Sequence, residues 1–416
     1  MSALTGTQVR RRFLVLLGLR WFPVGLMIPV LVLLPLERGL TIAQFGAAAA
    51  VQGLIVLCLE LPTGGLSDAI GRRPVLLLAG LINLASLAVL SVATSVALFV
   101  VVFLLQGVYR ALDSGPLEAW YVDHALAADP DADIETGLSR SGVVVGLSIA
   151  TAALVGGGLV ALGPVGPVTA LTVPVVIALV LQLAGLVALA VLMSEDRPAR
   201  GLVALVSSAR GVPAAIGGAL KLVRRSRVLA ALIAVELFWG FGMITFESLM
   251  PVRLSEVIGD ADDAAALMGP VGAAGWAASA AGAALIPVLA RRIGAPWTGF
   301  TLRIVQGATV VGMALLAGPA GLIGAFLLCY AVHGAANPVH VGLLHRQVDG
   351  PYRASVLSLN SMVGQPGSAL GAVVLTAIAA QAGTSTAMLV GALVLAVAAP
   401  LYLVRGRPVT VVHAGV

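Results

Sequence analysis

Charge is what this sequence has least of. Only 10% of its 416 residues are Asp, Glu, Lys or Arg, 59% are hydrophobic, and the mean hydropathy is +1.05. A soluble domain carries about 25% charged residues. Water cannot be the only solvent of such a surface, and the chain reads as lipid-embedded. Cysteine is nearly absent. Cys58 and Cys329 both lie in apolar runs, which excludes a disulfide framework and a cysteine metal site. Lysine occurs once, at Lys221. There is no glycine-rich phosphate loop ending in Lys-Ser or Lys-Thr, which argues against direct ATP drive. No nucleophile–base arrangement stands out, so the expectation is a non-enzyme without cofactor or metal. The pI near 9.8 would suggest nucleic acid in a soluble protein. Here the basic residues are a topology signal, and no nucleic-acid partner is expected.

A hydrocarbon core about 30 Å thick takes about 20 apolar residues per helix. That ruler gives twelve spans, at 13–34, 42–61, 74–93, 96–121, 137–162, 168–193, 228–250, 264–289, 297–317, 320–344, 354–380 and 385–403. The expected fold is therefore an all-α membrane protein. Arg10, Arg11 and Arg12 precede the first run as in a secretory signal. That run is too long, carries Arg20 and has no small-residue cleavage site, so it reads as a retained helix. With the N-terminus in the cytoplasm, only Arg38 and Arg253 fall in outer segments, and Arg20, Arg110 and Arg303 within spans. All other basic residues are inside. The bias predicts a multi-pass protein of the cell (inner) membrane with both termini cytoplasmic.

The halves align weakly: Arg20 meets Glu236, and Gly71 meets Gly294. The expected organisation is two parallel, pseudo-symmetric six-helix bundles, 1–193 and 228–403, with a cytoplasmic linker at 194–227 and a tail at 404–416. Within the linker, 214–223 reads either as a helix lying on anionic lipid, with Lys221, Arg224, Arg225 and Arg227, or as a plain tether.

Between the second and third spans lies Gly64-Gly65-Leu66-Ser67-Asp68-Ala69-Ile70-Gly71-Arg72-Arg73. It reads as a polar loop whose glycines permit a sharp turn. Asp68 is placed to cap a helix N-terminus. Arg72 is placed to bridge to Asp123, at the cytoplasmic end of the fourth span. With twelve spans in two halves, this order resembles the signature loop of the major facilitator superfamily. Gly64, Leu66, Asp68, Gly71, Arg72 and Arg73 match it, and Ala69 departs from the basic residue usual there. A weaker copy appears as Val288-Leu289-Ala290-Arg291-Arg292-Ile293-Gly294, without the carboxylate. The resemblance implies two bundles rocking around a central cavity lined by helices 1, 4, 7 and 10, with Asp68, Arg72, Arg73 and Asp123 latching one state.

An ionisable group at bilayer depth costs at least ~2.5–3.5 kcal/mol on insertion scales, so each is a functional candidate. They are Arg20 in the first span, Arg110, Asp113 and Glu118 in the fourth, Glu236 and Glu247 in the seventh, and His333 and His340 in the tenth. Arg303, in the ninth, is expected to snorkel. Glu236, Arg20, Arg110 and Asp113 are the proton-coupling candidates. Arg20 and Glu236 either pair with each other or each within its own bundle. Arg110 and Asp113 are three residues apart and either satisfy each other or take part in coupling. His333, Asn337 and His340 share a helix face, and Pro338 is expected to break that helix. With Glu118, Trp239 and Glu247 they form the substrate-cavity set. Two histidines without a matching carboxylate make no metal site.

Ser114-Gly115-x-x-Glu118-Ala119 followed by Asp123 resembles drug-efflux-like branches of the superfamily, and Arg110 resembles their fourth-helix arginine linked to proton coupling. Ala152-Ala153-Leu154-Val155-Gly156-Gly157 resembles a degraded antiporter motif. The resemblance implies a monomeric, proton-coupled exporter of a small hydrophobic or amphiphilic compound, of the multidrug antiporter type. Its partners would be that substrate, protons and the bilayer. Proton-coupled uptake of a small metabolite is the alternative. A non-transporting sensor on the same fold is a second, against which the retained intramembrane charges argue.

Overall fold

The computed structural model describes residues 5–195, 217, 221, 223–348 and 353–406. Most of the 194–227 linker, including most of its expected surface helix, lies outside the described residues, as does 407–416. Among the described residues there is no β-strand, only an isolated bridge between Val165 and Val168. The helices are α1 (Gly6–Met27), α2 (Leu33–Glu37), α3 (Ile42–Ile70), α4 (Arg72–Val92), α5 (Val96–Asp113), α6 (Pro116–Ala128), α7 (Ile134–Ala161) and α8 (Val173–Leu192). They continue as α9 (Arg227–Glu247), α10 (Leu249–Ile258), α11 (Ala261–Ile293), α12 (Ala295–Leu315), α13 (Gly318–His345), α14 (Arg353–Ala382) and α15 (Thr384–Val397), and a 3₁₀ turn at Ala399–Leu403 follows.

Among the described residues, 11 segments are long and apolar enough to cross a membrane. The remaining expected span is α1, set apart by Arg10, Arg11, Arg12 and Arg20 within 22 residues. The fourth expected span divides. α5 stops at Asp113, Gly115 takes a φ of +93°, and Pro116 opens α6. Proline suits a first helical turn, where its missing N–H would have no partner. The tenth span does not break at Pro338: α13 runs through it unbroken. Transmembrane helices tolerate proline where neighbouring helices satisfy the freed backbone groups.

Two compact units form. One comprises Met1–Leu40, Ile55–Arg210 and Asp260–Ala273, and the other Thr41–Leu54, Gly211–Gly259 and Ala274–Val416. α3 and α11 therefore each contribute to both. In the first unit α1 lies on α7 and α8, and α4 on α5 and α8; in the second, α9 lies on α14, and α12 on α13 and α15.

Lipid tails are as apolar as leucine, so close backbone approach has to hold such helices together. Gly156, in the stretch resembling the antiporter motif, lies so near α1 that a Cβ there falls 2.7 Å from the Leu26 carbonyl oxygen. In the second unit, a Cβ at Gly367 collides with the Leu237 carbonyl and one at Gly371 with that of Phe241. Gly367→Val is expected to destabilise the protein by about 1–3 kcal/mol, the usual cost of overpacking. Thermal unfolding in detergent checks this, and an unchanged melting temperature contradicts the packing account.

Candidate functional site

Three groups of polar side chains stand out, and each sits within one unit. The first is at the end of α3. The stretch from Gly64 is not a loop. α3 continues helical to Ile70, and Gly71 alone, at φ +97°, separates it from α4. Gly294 makes the same turn between α11 and α12, at φ +82°. A side chain at Gly71 would be strained by its φ and would meet the Glu195 carboxylate.

That carboxylate caps α4, accepting the backbone N–H of Arg72 at 2.6 Å and of Arg73 at 2.9 Å. A carboxylate there satisfies free donors and meets the positive end of the helix dipole. The cap thus comes from Glu195, far along the chain. The Asp68 side chain, expected as the helix cap, lies outside the described residues. Arg72 Nη1 lies 2.6 Å from Asp123 Oδ2. Around the exit of α8, Arg73 Nη2 donates to the Ala190 carbonyl at 2.6 Å, Arg12 Nη1 to that of Leu192 at 2.9 Å, and Trp120 Nε1 to that of Ser194 at 2.7 Å. Glu195→Ala is expected to lower stability by about 1 kcal/mol, as for loss of an N-cap. Melting measurements with Glu195→Gln beside it check this, and Gln should recover part of the loss.

The second group lies in the first unit. Arg20 on α1 donates through Nε and Nη2 to Asp113 Oδ2, and through Nη2 to the Asp113 carbonyl at 3.0 Å. Tyr109 lies against both. Arg20 thus pairs within its own unit, and the partner of Asp113 is Arg20 and not Arg110. Asp113 is buried toward α1, whereas Arg110 is exposed. The guanidinium reaches a carboxylate on an adjacent helix of its own unit, and a partner presenting two acceptors outcompetes a helical neighbour three residues away. Arg20 and Asp113 border a cavity of about 50 Å³ with Tyr109, Gly80 and Gln182. It holds a few waters but not a drug-sized ligand, which needs ~300 Å³ or more. Glu118 is exposed, in the first turn of α6, where the helix dipole favours an acid.

The third group, in the second unit, is a buried chain of hydrogen bonds. His340 Nε2 faces two acceptors, Asn360 Oδ1 at 3.0 Å and Glu236 Oε2 at 3.6 Å. With the ring neutral, Nε2 must carry the hydrogen, so Nδ1 accepts from the Tyr402 hydroxyl at 3.0 Å. Tyr402 in turn accepts from Arg303, and the Asn360 amide donates to Glu236. Every donor along Arg303–Tyr402–His340–Asn360 points toward the Glu236 carboxylate. Arg303 does not snorkel. It is 3% exposed and also donates to Gln306 Oε1 at 2.5 Å. Glu236, with 16% of its side chain exposed, is the accessible end.

The expected His333, Asn337 and His340 set comes apart. His340 is buried in this chain, and Asn337 is exposed. His333 lies among rings: Trp239 stacks on it at 5.6 Å and 15°, with Phe246 at 5.7 Å and Tyr330 at 5.9 Å. Tyr330 Oη donates to Glu247 Oε1 at 2.6 Å. Among the described residues no group of His, Cys, Asp and Glu is arranged to hold a metal ion. Sequence reading missed Glu195, Asn360, Tyr402 and the burial of Arg303. The available signals were an amide, Asn360, in an uncharged span that also carries Gln365, and the lone charge Arg303, three residues before Gln306, in its span.

A family model described as Major Facilitator Superfamily matches residues 13–338. No curated protein matched the sequence. Among solved structures, the nucleoside transporter NupG superposes with a TM-score of 0.77 at 14% identity, covering 95% of this chain and 98% of that one. A bacterial homologue of the human lysosomal transporter Spinster, inward-facing and unoccupied, gives 0.74 at 14%, covering 97% of both chains. A POT family transporter in complex with a thioalcohol-conjugated peptide gives 0.71 at 12%, covering 95% of both. At such identities the likeness concerns the fold.

Proposed function

The chain belongs to the Major Facilitator Superfamily and is a secondary transporter of small molecules in a membrane, and from that premise we propose that it couples export of a hydrophobic or amphiphilic compound to proton uptake at Glu236. The observation that carries the reading is the directed hydrogen-bond chain ending on that carboxylate. As an anion, Glu236 is the sink for every donor from Arg303 onward. Once protonated it gives up that role, and the helices carrying His340, Asn360 and Arg303 lose a shared partner. A group with two bonding arrangements is what a two-state transporter needs in order to bias its equilibrium. The export direction follows the resemblance of Ser114–Asp123 to drug-efflux-like branches, and Arg20–Asp113 is the second coupling candidate.

In this reading the six-helix bundles 1–193 and 228–403 rock about the substrate. Arg72–Asp123, braced by Glu195 on the N-terminus of α4, is the latch broken in one state. The protein acts as a monomer in the inner membrane with both termini cytoplasmic.

The test is reconstitution in vesicles with an imposed pH gradient, following compound flux and internal pH together. Flux of a carried compound should accelerate with the gradient and move protons with it. Equal flux with and without a gradient overturns the coupling.

A further inference from the structure

We propose that a proton on Glu236 reverses the hydrogen-bond chain of the second unit, by an amide turn at Asn360 and a change of tautomer at His340, so that the unmet donor moves to Tyr402. This rests on the proton-uptake reading and supplies the second bonding arrangement which that reading requires. Asn360 and His340 are thereby positioning residues. They carry the state of a carboxylate on α9 to α14, to α13 and to the 3₁₀ turn that closes the last span.

With Glu236 anionic, the donors run from Arg303 to Tyr402, from Tyr402 to His340 Nδ1, from His340 Nε2 to Asn360 Oδ1 and from the Asn360 amide to Glu236. The charged and titratable groups facing Glu236 are His340 on α13, Arg303 on α12 and Tyr402 in the turn. A protonated Glu236 is a weaker acceptor than the anion, and it has a hydrogen of its own to give. Half a turn of the Asn360 amide exchanges its oxygen and nitrogen, which occupy nearly the same space. Oδ1 then accepts from Glu236, and the amide nitrogen donates to His340 Nε2 across the same 3.0 Å. For that, Nε2 must be bare, and the neutral ring carries its hydrogen on Nδ1, 3.0 Å from the Tyr402 oxygen. That oxygen now accepts from Arg303 and His340 together, and its own hydrogen has to turn away from the ring. Glu236 takes its proton from water, and exchange with water moves one ring hydrogen between the two nitrogens, so the chain as a whole gains a single proton. Keeping the first direction and protonating the ring instead would place a second cation with Arg303, where His340 is 2% exposed.

The experiment is solid-state NMR of the full chain in lipid vesicles, with ¹³C- and ¹⁵N-labelled histidine, across about pH 5–9. The chain has 5 histidines, and the spectrum of His340→Gln identifies the signal of His340 by its loss. Ring shifts tell the two neutral tautomers and the imidazolium apart. His340 should carry its hydrogen on Nε2 at alkaline pH and on Nδ1 at acid pH. The ratio of tautomers should change by about ten-fold or more, which a hydrogen bond to a charged group supplies. Glu236→Gln should hold one ratio at every pH. Asn360→Leu should shrink the change several-fold, because it leaves Glu236 Oε2 as the remaining partner of Nε2, 3.6 Å away. A single tautomer throughout in the unaltered protein, an imidazolium at acid pH, or a change of tautomer that survives Glu236→Gln overturns the proposal. An undiminished change in Asn360→Leu overturns it as well, since the amide would then carry nothing. Should His340 change tautomer with Glu236 while vesicle flux ignores the pH gradient, the coupling reading fails and this one stands. Should flux follow the gradient through Glu236 with His340 in one tautomer, the reverse is true.

Discussion

Glu236→Gln is expected to make compound binding and vesicle flux independent of pH while leaving the protein folded. Gln keeps the volume of Glu and still offers a carbonyl oxygen to the Asn360 amide, so the end of the hydrogen-bond chain survives in outline. What disappears is the choice between a charged and an uncharged acceptor. If proton and compound compete through this carboxylate, their coupling free energy should be typical of linked sites, a 5–150-fold change in affinity between protonated and deprotonated states. The wild-type protein should show a shift of that order in compound affinity from acid to alkaline pH, and Glu236→Gln a flat profile. Linkage is reciprocal, so proton release on adding compound should vanish in the same variant. The measurements are binding titrations across pH and internal-pH records in vesicles. A variant that retains the full pH profile moves the coupling elsewhere, and Asp113→Asn in the first unit then becomes the decisive comparison.

Arg303→Met is expected to be the most destabilising single change in the second unit. The guanidinium is 3% exposed and serves Gln306 and Tyr402, while its charge faces Glu236. Met fills much of the volume but removes the cation, and the carboxylate at the other end is left uncompensated. Breaking a buried ionic arrangement by deleting one partner costs about 3–5 kcal/mol. The loss should be partly reversed in Arg303→Met/Glu236→Gln, because the remaining charge goes too. For groups in one network, interaction energies of about 0.5–3 kcal/mol are the usual range. Melting curves of the two single variants and the double variant in one detergent decide it. Strict additivity would mean that Arg303 and Glu236 do not share a network, and the role of Arg303 would then reduce to holding Tyr402.

Much of this protein is legible along the chain, because lipid imposes a local rule. Each span must be long and apolar and satisfy its own backbone, so composition and run length yield the all-helical fold and the span positions, while the superfamily came from the resemblance carried by the Gly64–Arg73 order. The turn at Gly71 was legible for a similar reason: a positive φ is a property of one residue. The helical state of 64–70 was not, since glycines in a membrane helix read like loop glycines when only sequence neighbours are considered. Partner choice was beyond local reading altogether. Helical spacing compares residues three or four apart, whereas Asn360 stands 20 residues from His340, Tyr402 62 from His340, Asp113 93 from Arg20 and Glu195 123 from Arg72. The sequence by itself determined which charges lie within the spans and so carry a burial cost to be met or avoided. The tertiary structure decided who offsets that cost, because only the contact of particular helices brings a distant acceptor within the roughly 3 Å that a hydrogen bond requires.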